Sequence, residues 1–194
     1  MKTLLEVLQA GTDYLARQGC DEARATMQHL LAHVLHCNRT ALYSQFDRRV
    51  EEAELAPLRE LLKRRAAGEP LQHLLGVTEF FRRDFLTDAR ALIPRPETEE
   101  LVALILKENT GEGLKVLDIG TGSGCIPIAL KKNLPESTEV YALDISPEAL
   151  ALAQCNALNL EVGVHFVQAD ILHERPVILE APEKFDIIVS NPPY

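Results

Sequence analysis

The 194-residue chain contains no run of about 18 or more uncharged apolar residues, which excludes a helical membrane span. The N-terminus lacks an apolar signal region as well. Met1-Lys2-Thr3-Leu4-Leu5-Glu6 meets a carboxylate before such a region can form, so a secretory signal is excluded and a cytoplasmic protein is expected. Cysteine is sparse: Cys20, Cys37, Cys125 and Cys155 lie far apart, with no C-x-x-C pair. That spacing argues against a zinc ribbon or a disulfide framework and fits buried thiols in a reducing compartment. Cationic excess is missing too. Residues 1–75 hold ten Lys/Arg and ten Asp/Glu, so the whole net charge of −9 sits in residues 76–194. A surface that binds nucleic-acid backbone needs clustered cations, and direct nucleic-acid binding is not expected. What is present is the balance of a core-forming protein, 46% apolar and 25% charged.

The first seventy residues read as helices. Leu4, Leu5, Leu8 and Leu15 recur at helical spacing up to Gly19. A second helix is expected after Asp21 as N-cap, burying Met27, Leu30, Leu31, Val34 and Leu35 on one stripe. A third runs from Val50 to Ala67, with Pro57 marking a possible fresh start. After Gly76 the pattern becomes short and aromatic, and a hairpin or extended linker is expected over Val77 to Ile93. Pro94 and Pro96 stiffen the entry to a helix over Glu97 to Glu108. From there strands and helices alternate: strands at 115–119, 139–143, 164–167 and 185–189, helices at 125–132 and 147–158. Alternation of this kind implies a parallel sheet with right-handed crossovers.

The strongest local motif is Asp118-Ile119-Gly120-Thr121-Gly122-Ser123-Gly124, leaving a buried strand and opening a helix. Its glycines permit positive φ and close approach of backbone N–H groups to a ligand. The spacing is G-x-G-x-G and not the G-x-G-x-x-G of dinucleotide folds. Asp144 ends the next strand, where a carboxylate can take both ribose hydroxyls. Asp170 ends the third, within reach of an adenine amino group. Each acid alone reads equally as a helix cap or a solvated loop residue. Three at successive strand ends suit a cationic, phosphate-free nucleoside, which describes S-adenosylmethionine better than NAD.

The second motif is Asn191-Pro192-Pro193-Tyr194, directly after the apolar strand ending at Ser190. Two prolines fix the backbone and remove donors, which leaves the Asn191 side-chain oxygen and the Pro192 carbonyl as acceptors. Two fixed acceptors can hold both hydrogens of a planar NH2 group and aim its nitrogen at a methyl donor. The plainer reading is a rigid turn after an edge strand.

These two motifs resemble the amino-methyltransferases that act on planar nitrogens. Leu92-Ile93-Pro94-Arg95-Pro96-Glu97-Thr98-Glu99-Glu100 and Gly68-Glu69-Pro70-Leu71-Gln72, with Glu79-Phe80, narrow the resemblance to the HemK/PrmC family, the peptide-chain release factor glutamine N5-methyltransferases. The resemblance covers the whole chain. It implies an α/β architecture: an N-terminal helical bundle (1–72) that recognises substrate, a hairpin linker (73–93) and a Rossmann-like class I S-adenosylmethionine-dependent methyltransferase domain (94–194). It implies methylation of the glutamine in the Gly-Gly-Gln (GGQ) loop of class-I release factors, with S-adenosylhomocysteine as product, no metal, no membrane, and a monomeric enzyme. Donor contacts would come from Asp118, Gly120, Thr121, Gly122, Ser123, Gly124, Asp144, Asp170, Ile171 and Asn191. Asn191 and Pro192 would be catalytic, and Asn191, Pro192, Pro193 and Tyr194 would hold the substrate glutamine. His73 and Ile171 stand where the family often has aromatic residues.

Sheets of this type have seven strands in the order 3-2-1-4-5-7-6. Only strands 1 to 4 precede Tyr194, so a fragment truncated after strand 4 is expected, with that strand as an open edge. His29, His33 and His36 share a helical spacing that could bind a metal, but a solvated polar face is the expectation. Cys125 lies near a helix N-terminus that could lower its pKa, but a packing role is expected. The rival functions are amino-methylation of adenine or cytosine in nucleic acid, glutamine methylation of a ribosomal protein, and a non-catalytic binding module.

Overall fold

A computed structural model describes residues 2–173 and 184–192. The chain divides into two compact units, Met1–Gly76 and Val77–Tyr194. The division falls after Gly76 and not after residue 72, because residue 72 lies inside a short helix, and the expected hairpin linker is built into the second unit.

The first unit is helical: α1 (Leu4–Arg17), α2 (Ala23–Val34), α3 (Arg39–Tyr43), α4 (Glu52–Ala66) and α5 (Leu71–Leu75). A capping box starts α1: the Thr3 hydroxyl accepts from the Glu6 N–H at 3.3 Å and the Thr3 N–H donates to Glu6 Oε2 at 2.8 Å. Leu4, Leu8, Leu15, Met27, Leu30, Leu31 and Leu58 bury themselves in a single core. Two expectations change. The N-cap of α2 is Glu22, in a left-handed conformation without a side-chain cap, and not Asp21. Pro57 does not restart α4. It sits one turn inside a continuous helix, where its missing N–H deprives only the Ala53 carbonyl of an intrahelical donor. The three histidines do not share a helix face. His29 is half-buried on α2 with Nε2 3.0 Å from Arg39 Nη1, whereas His36 lies beyond α2 at φ 50°.

The second unit opens with an antiparallel hairpin, β1 (Val77–Phe80) and β2 (Arg83–Leu86), followed by α6 (Pro96–Glu108). Then come β3 (Lys115–Ile119), α7 (Cys125–Asn133), β4 (Glu139–Asp144), α8 (Pro147–Asn159), β5 (His165–Gln168) and β6 (Ile187–Ser190). The four later strands form one parallel sheet in the order β5-β4-β3-β6, which is the 3-2-1-4 order expected. Alternation in the strands sends Val116, Val140, Ile187 and Val189 to one face. There they pack with Val102 and Ile105 of α6, Ile126 to Leu130 of α7, and Phe80 and Phe85 of the hairpin. The hairpin therefore contributes two fully buried aromatic rings, in T-shaped contact at 5.9 Å, to the core. Leu117, Tyr141 and Leu143 form a separate cluster on the other face. Among the described residues β6 pairs only with β3, and Ile188 on it is exposed.

Candidate active site

In a parallel sheet every strand ends on the same edge, so the four segments singled out above converge there. The register decides who meets whom. Ile119 pairs with Leu143 on one side and Ser190 on the other, which sets the start of the glycine loop level with Asp144 and Asn191. Asp144 pairs with Gln168, which brings the Asp170 turn alongside.

The three glycines of the loop do different things. Gly120 (φ 74°) is exposed, and a Cβ there would meet no atom within 4 Å, so it borders open space. Gly122 gives its N–H to Asp144 Oδ2 at 2.8 Å. Gly124 (φ 79°) caps α7, and a Cβ there would lie 2.9 Å from Ala153 Cβ, so its smallness lets α7 and α8 close on each other. The other Asp144 oxygen accepts from the Ser146 N–H at 3.0 Å. The half-buried Asp144 carboxylate thus braces the loop, with lone pairs left over.

Asp118 differs in kind. It is 0% exposed beneath the loop, and neither carboxylate oxygen has a hydrogen-bond partner in the protein. Burial, seconded by the negative charge of Asp144, pushes its pKa up to about 7; the Thr121 hydroxyl opposes that rise without reaching hydrogen-bond geometry. Thr121 and Ser123 are buried as well. Asp170 lies two residues beyond β5 and turns inward on its own loop. Its oxygens face His173 Nδ1 (2.8 Å) and accept from the Leu172 N–H (3.0 Å), and the His173 contact first and the Leu172 N–H second hold its carboxyl below the usual carboxylate range. Ile171 beside it is exposed. A buried, partnerless carboxyl under a loop with open space at Gly120, and two further acids along the same edge, fit a cationic nucleoside such as S-adenosylmethionine.

At the end of β6, Asn191 and Pro192 line a cavity of about 660 Å³ with Leu92, Arg95, Glu97, Thr98 and Leu101. Asn191 Nδ2 donates to Thr98 Oγ1 at 2.9 Å. The expected substrate contacts Pro193 and Tyr194 lie outside the described residues. Cys125 is buried and its thiol is pushed up to about 12, by burial first and Asp118 second, which leaves it the packing role. Among the described residues no cluster of three or more His, Cys, Asp or Glu could hold a metal, and no helix is long and apolar enough to cross a membrane.

One residue of the site carried no sequence signal. Asn156, mid-helix in α8 and 1% exposed, accepts from the Leu86 N–H (2.7 Å) and donates to the Leu86 carbonyl (3.1 Å) and the Ser123 carbonyl (2.9 Å). It ties the glycine loop to the hairpin. An asparagine within a helix reads as a surface residue until the tertiary fold shows what lies above it.

The fold and this edge define the class of Rossmann-like, S-adenosylmethionine-dependent methyltransferases, and residues 110–193 match a methyltransferase domain family. Residues 6–76 match the PrmC N-terminal domain family. The chain is 42% identical over 193 residues to a release factor glutamine methyltransferase of Koribacter versatilis, covering 99% of this chain and 67% of that protein. It is 40% identical over 199 residues to one of Rhodopirellula baltica, covering 99% and 66%. The chain belongs to the release factor glutamine methyltransferase family, and it spans about two thirds of the length of these relatives. Among solved structures it is similar to a Pyrococcus abyssi tRNA (uracil-54, C5)-methyltransferase in complex with S-adenosyl-L-homocysteine, at 23% identity and a TM-score of 0.47 over 60% of this chain and 28% of that one.

Proposed function

We propose that this protein transfers a methyl group from S-adenosylmethionine to the side-chain amide nitrogen of the glutamine in the Gly-Gly-Gln loop of class-I release factors. The observation that carries the reading is the sheet register, which sets Gly120 and Asn191 side by side at the end of neighbouring strands. A donor over the glycine loop and an amide held at Asn191 are then neighbours. The relatives' shared name points to the same substrate.

S-adenosylmethionine supplies an electrophilic methyl on a sulfonium. The residues of the chain do the rest. The Gly120–Gly124 loop, Asp118, Asp144, Asp170 and Ile171 form the donor side. Asn191 Oδ1 and the Pro192 carbonyl accept the two hydrogens of the target NH2, with Pro193 and Tyr194 completing the substrate side. Holding both hydrogens turns the amide lone pair toward the methyl and raises its density. The S–CH3 bond breaks as N–CH3 forms, sulfur keeps the electron pair, and the nitrogen, now acidic, sheds one proton to water. No strong base is needed, and S-adenosylhomocysteine leaves.

The helical unit is the part that reads the protein substrate in this proposal, since every donor motif lies after residue 115. The surplus of acids in residues 76–194 favours a protein substrate over nucleic acid, and we assign a monomer acting in the cytoplasm. The test incubates the protein with S-adenosylmethionine and a class-I release factor and maps the added methyl by mass spectrometry. Methylation on the Gly-Gly-Gln glutamine is the expected result. A methyl on nucleic acid or on a ribosomal protein instead, with the release factor left bare, would overturn it.

A further inference from the structure

We propose that Thr98 is a positioning residue that sets which way the Asn191 amide faces. The inference rests on the reading that Asn191 accepts a hydrogen bond from the target NH2.

An asparagine amide is nearly symmetric in shape but opposite in chemistry at its two ends. A half-turn about its last bond exchanges an acceptor oxygen for a donor NH2. For a clamp on an NH2 group the difference is decisive. With Oδ1 toward the cavity, Asn191 accepts; with Nδ2 there, donors face donors and the target amide is pushed away. Asn191 follows β6 and is exposed among the described residues, so packing by them does little to choose between the two.

In the structure Thr98 takes the Nδ2 end of that amide. It lies in the first turn of α6, 6% exposed, and its Oγ1 accepts from Asn191 Nδ2 at 2.9 Å, joining positions 93 residues apart. That bond occupies the Nδ2 end of Asn191, so Oδ1 is the end left for a ligand. Thr98 itself is held firmly. Pro96 at the first helical position pre-sets the turn, and the Thr98 N–H donates to the Arg95 carbonyl at 3.0 Å. Both Thr98 and Asn191 line the same 660 Å³ cavity. The helix start therefore reaches across to the strand end and orients the group that orients the substrate.

The experiment compares Thr98→Val, Thr98→Ser, Asn191→Ala and the Thr98→Val/Asn191→Ala pair in release-factor methylation, with donor affinity measured by calorimetry. Valine keeps the shape of threonine and removes the acceptor. We expect Thr98→Val to lower kcat about five- to tenfold, the equivalent of one neutral hydrogen bond, while leaving donor affinity unchanged. Thr98→Ser retains an acceptor and should stay within about twofold of the parent. In the Asn191→Ala background Thr98→Val should have no further effect, because its influence passes through that amide. A merely structural threonine would lower both backgrounds equally and would thereby refute the proposal. Wild-type kcat in Thr98→Val with Asn191→Ala strongly impaired overturns the Thr98 inference alone. Wild-type kcat in Asn191→Ala overturns the clamp reading itself.

Discussion

Truncating Asn156 to alanine tests how the donor loop is held. In a two-residue hairpin the pair flanking the turn, Phe80 and Arg83, is the hydrogen-bonded one, and the pairs alternate from there. Val77 and Leu86, three pairs on, are therefore a non-hydrogen-bonded pair, and the Leu86 N–H and C=O point away from β1. The Asn156 side chain meets both, standing in for the backbone of a third strand, and gives its remaining hydrogen to the Ser123 carbonyl. Asn156→Ala strands three backbone groups at once. A buried group left without its partner costs about 1–3 kcal/mol. Leu86 is half-buried and regains some water; Ser123, at 2% exposed, does not. The expected destabilisation is therefore about 3–5 kcal/mol, in the diagnostic tail for single substitutions. Asn156→Asp is no rescue, because it keeps the acceptor for Leu86 N–H but turns an oxygen toward two carbonyls. Urea denaturation gives the loss in stability, and hydrogen exchange at the Leu86 amide reports the local bond. Donor affinity should fall with it, since the loop loses its anchor at Ser123. An Asn156→Ala protein within about 1 kcal/mol of the parent, with a still-protected Leu86 amide, would refute this account.

Three further outcomes follow from the same edge of the sheet. Gly120→Ala and Gly124→Ala both place a side chain at positive φ, worth about 1–2 kcal/mol of strain. Gly120→Ala should cost little more than that in denaturation yet weaken donor binding, whereas Gly124→Ala also drives a methyl to 2.9 Å from Ala153 and should lose about 2–4 kcal/mol. Asp118 is neutral in the fold up to a pKa of about 7 but ionised in the unfolded chain above about 4. The folded state then binds the extra proton, so the contribution of Asp118 to stability is greatest below about pH 4 and falls by up to about 1.4 kcal/mol per unit until pH about 7, then levels. Asp118→Asn should abolish that slope, and parallel stability curves for the two proteins between pH 5 and 8 would show the assignment to be wrong. Asp144→Ala removes the partner of the Gly122 N–H and a carboxylate for the ribose, and should weaken S-adenosylmethionine binding at least tenfold, a loss of about 1.5–3 kcal/mol; unchanged affinity by calorimetry in a folded variant would take Asp144 out of the site.

Much of this was legible along the chain. Hydrophobic period and glycine and proline punctuation placed the hairpin, α6 and the alternating strands of the sheet close to where they lie. Two short helices, α3 and α5, escaped notice, because five residues carry too little of a 3.6-residue period to be seen. Local chemistry also misled at Asp21 and Pro57. A side chain suited to capping does not cap when the backbone at the next residue turns left-handed, and one proline near a helix start is outweighed by the packing of the leucines around it.

The sequence by itself determined the family, the strand order and the candidate residues at the strand ends, since parallel topology collects all carboxyl ends on one edge whatever the details. It did not determine which of those residues is buried, braced or free. Asp118, Asp144 and Asp170 look alike as acids after strands. The tertiary structure makes one a buried, partnerless carboxyl beneath the loop, one a brace for Gly122, and one a partner of its own turn. It alone revealed Asn156 on Ser123 and Thr98 on Asn191, which join residues 33 and 93 positions apart. The physical reason is that local periodicity follows from neighbours within a turn or two of chain. A hydrogen bond between distant side chains exists only where packing has already brought their backbones within reach.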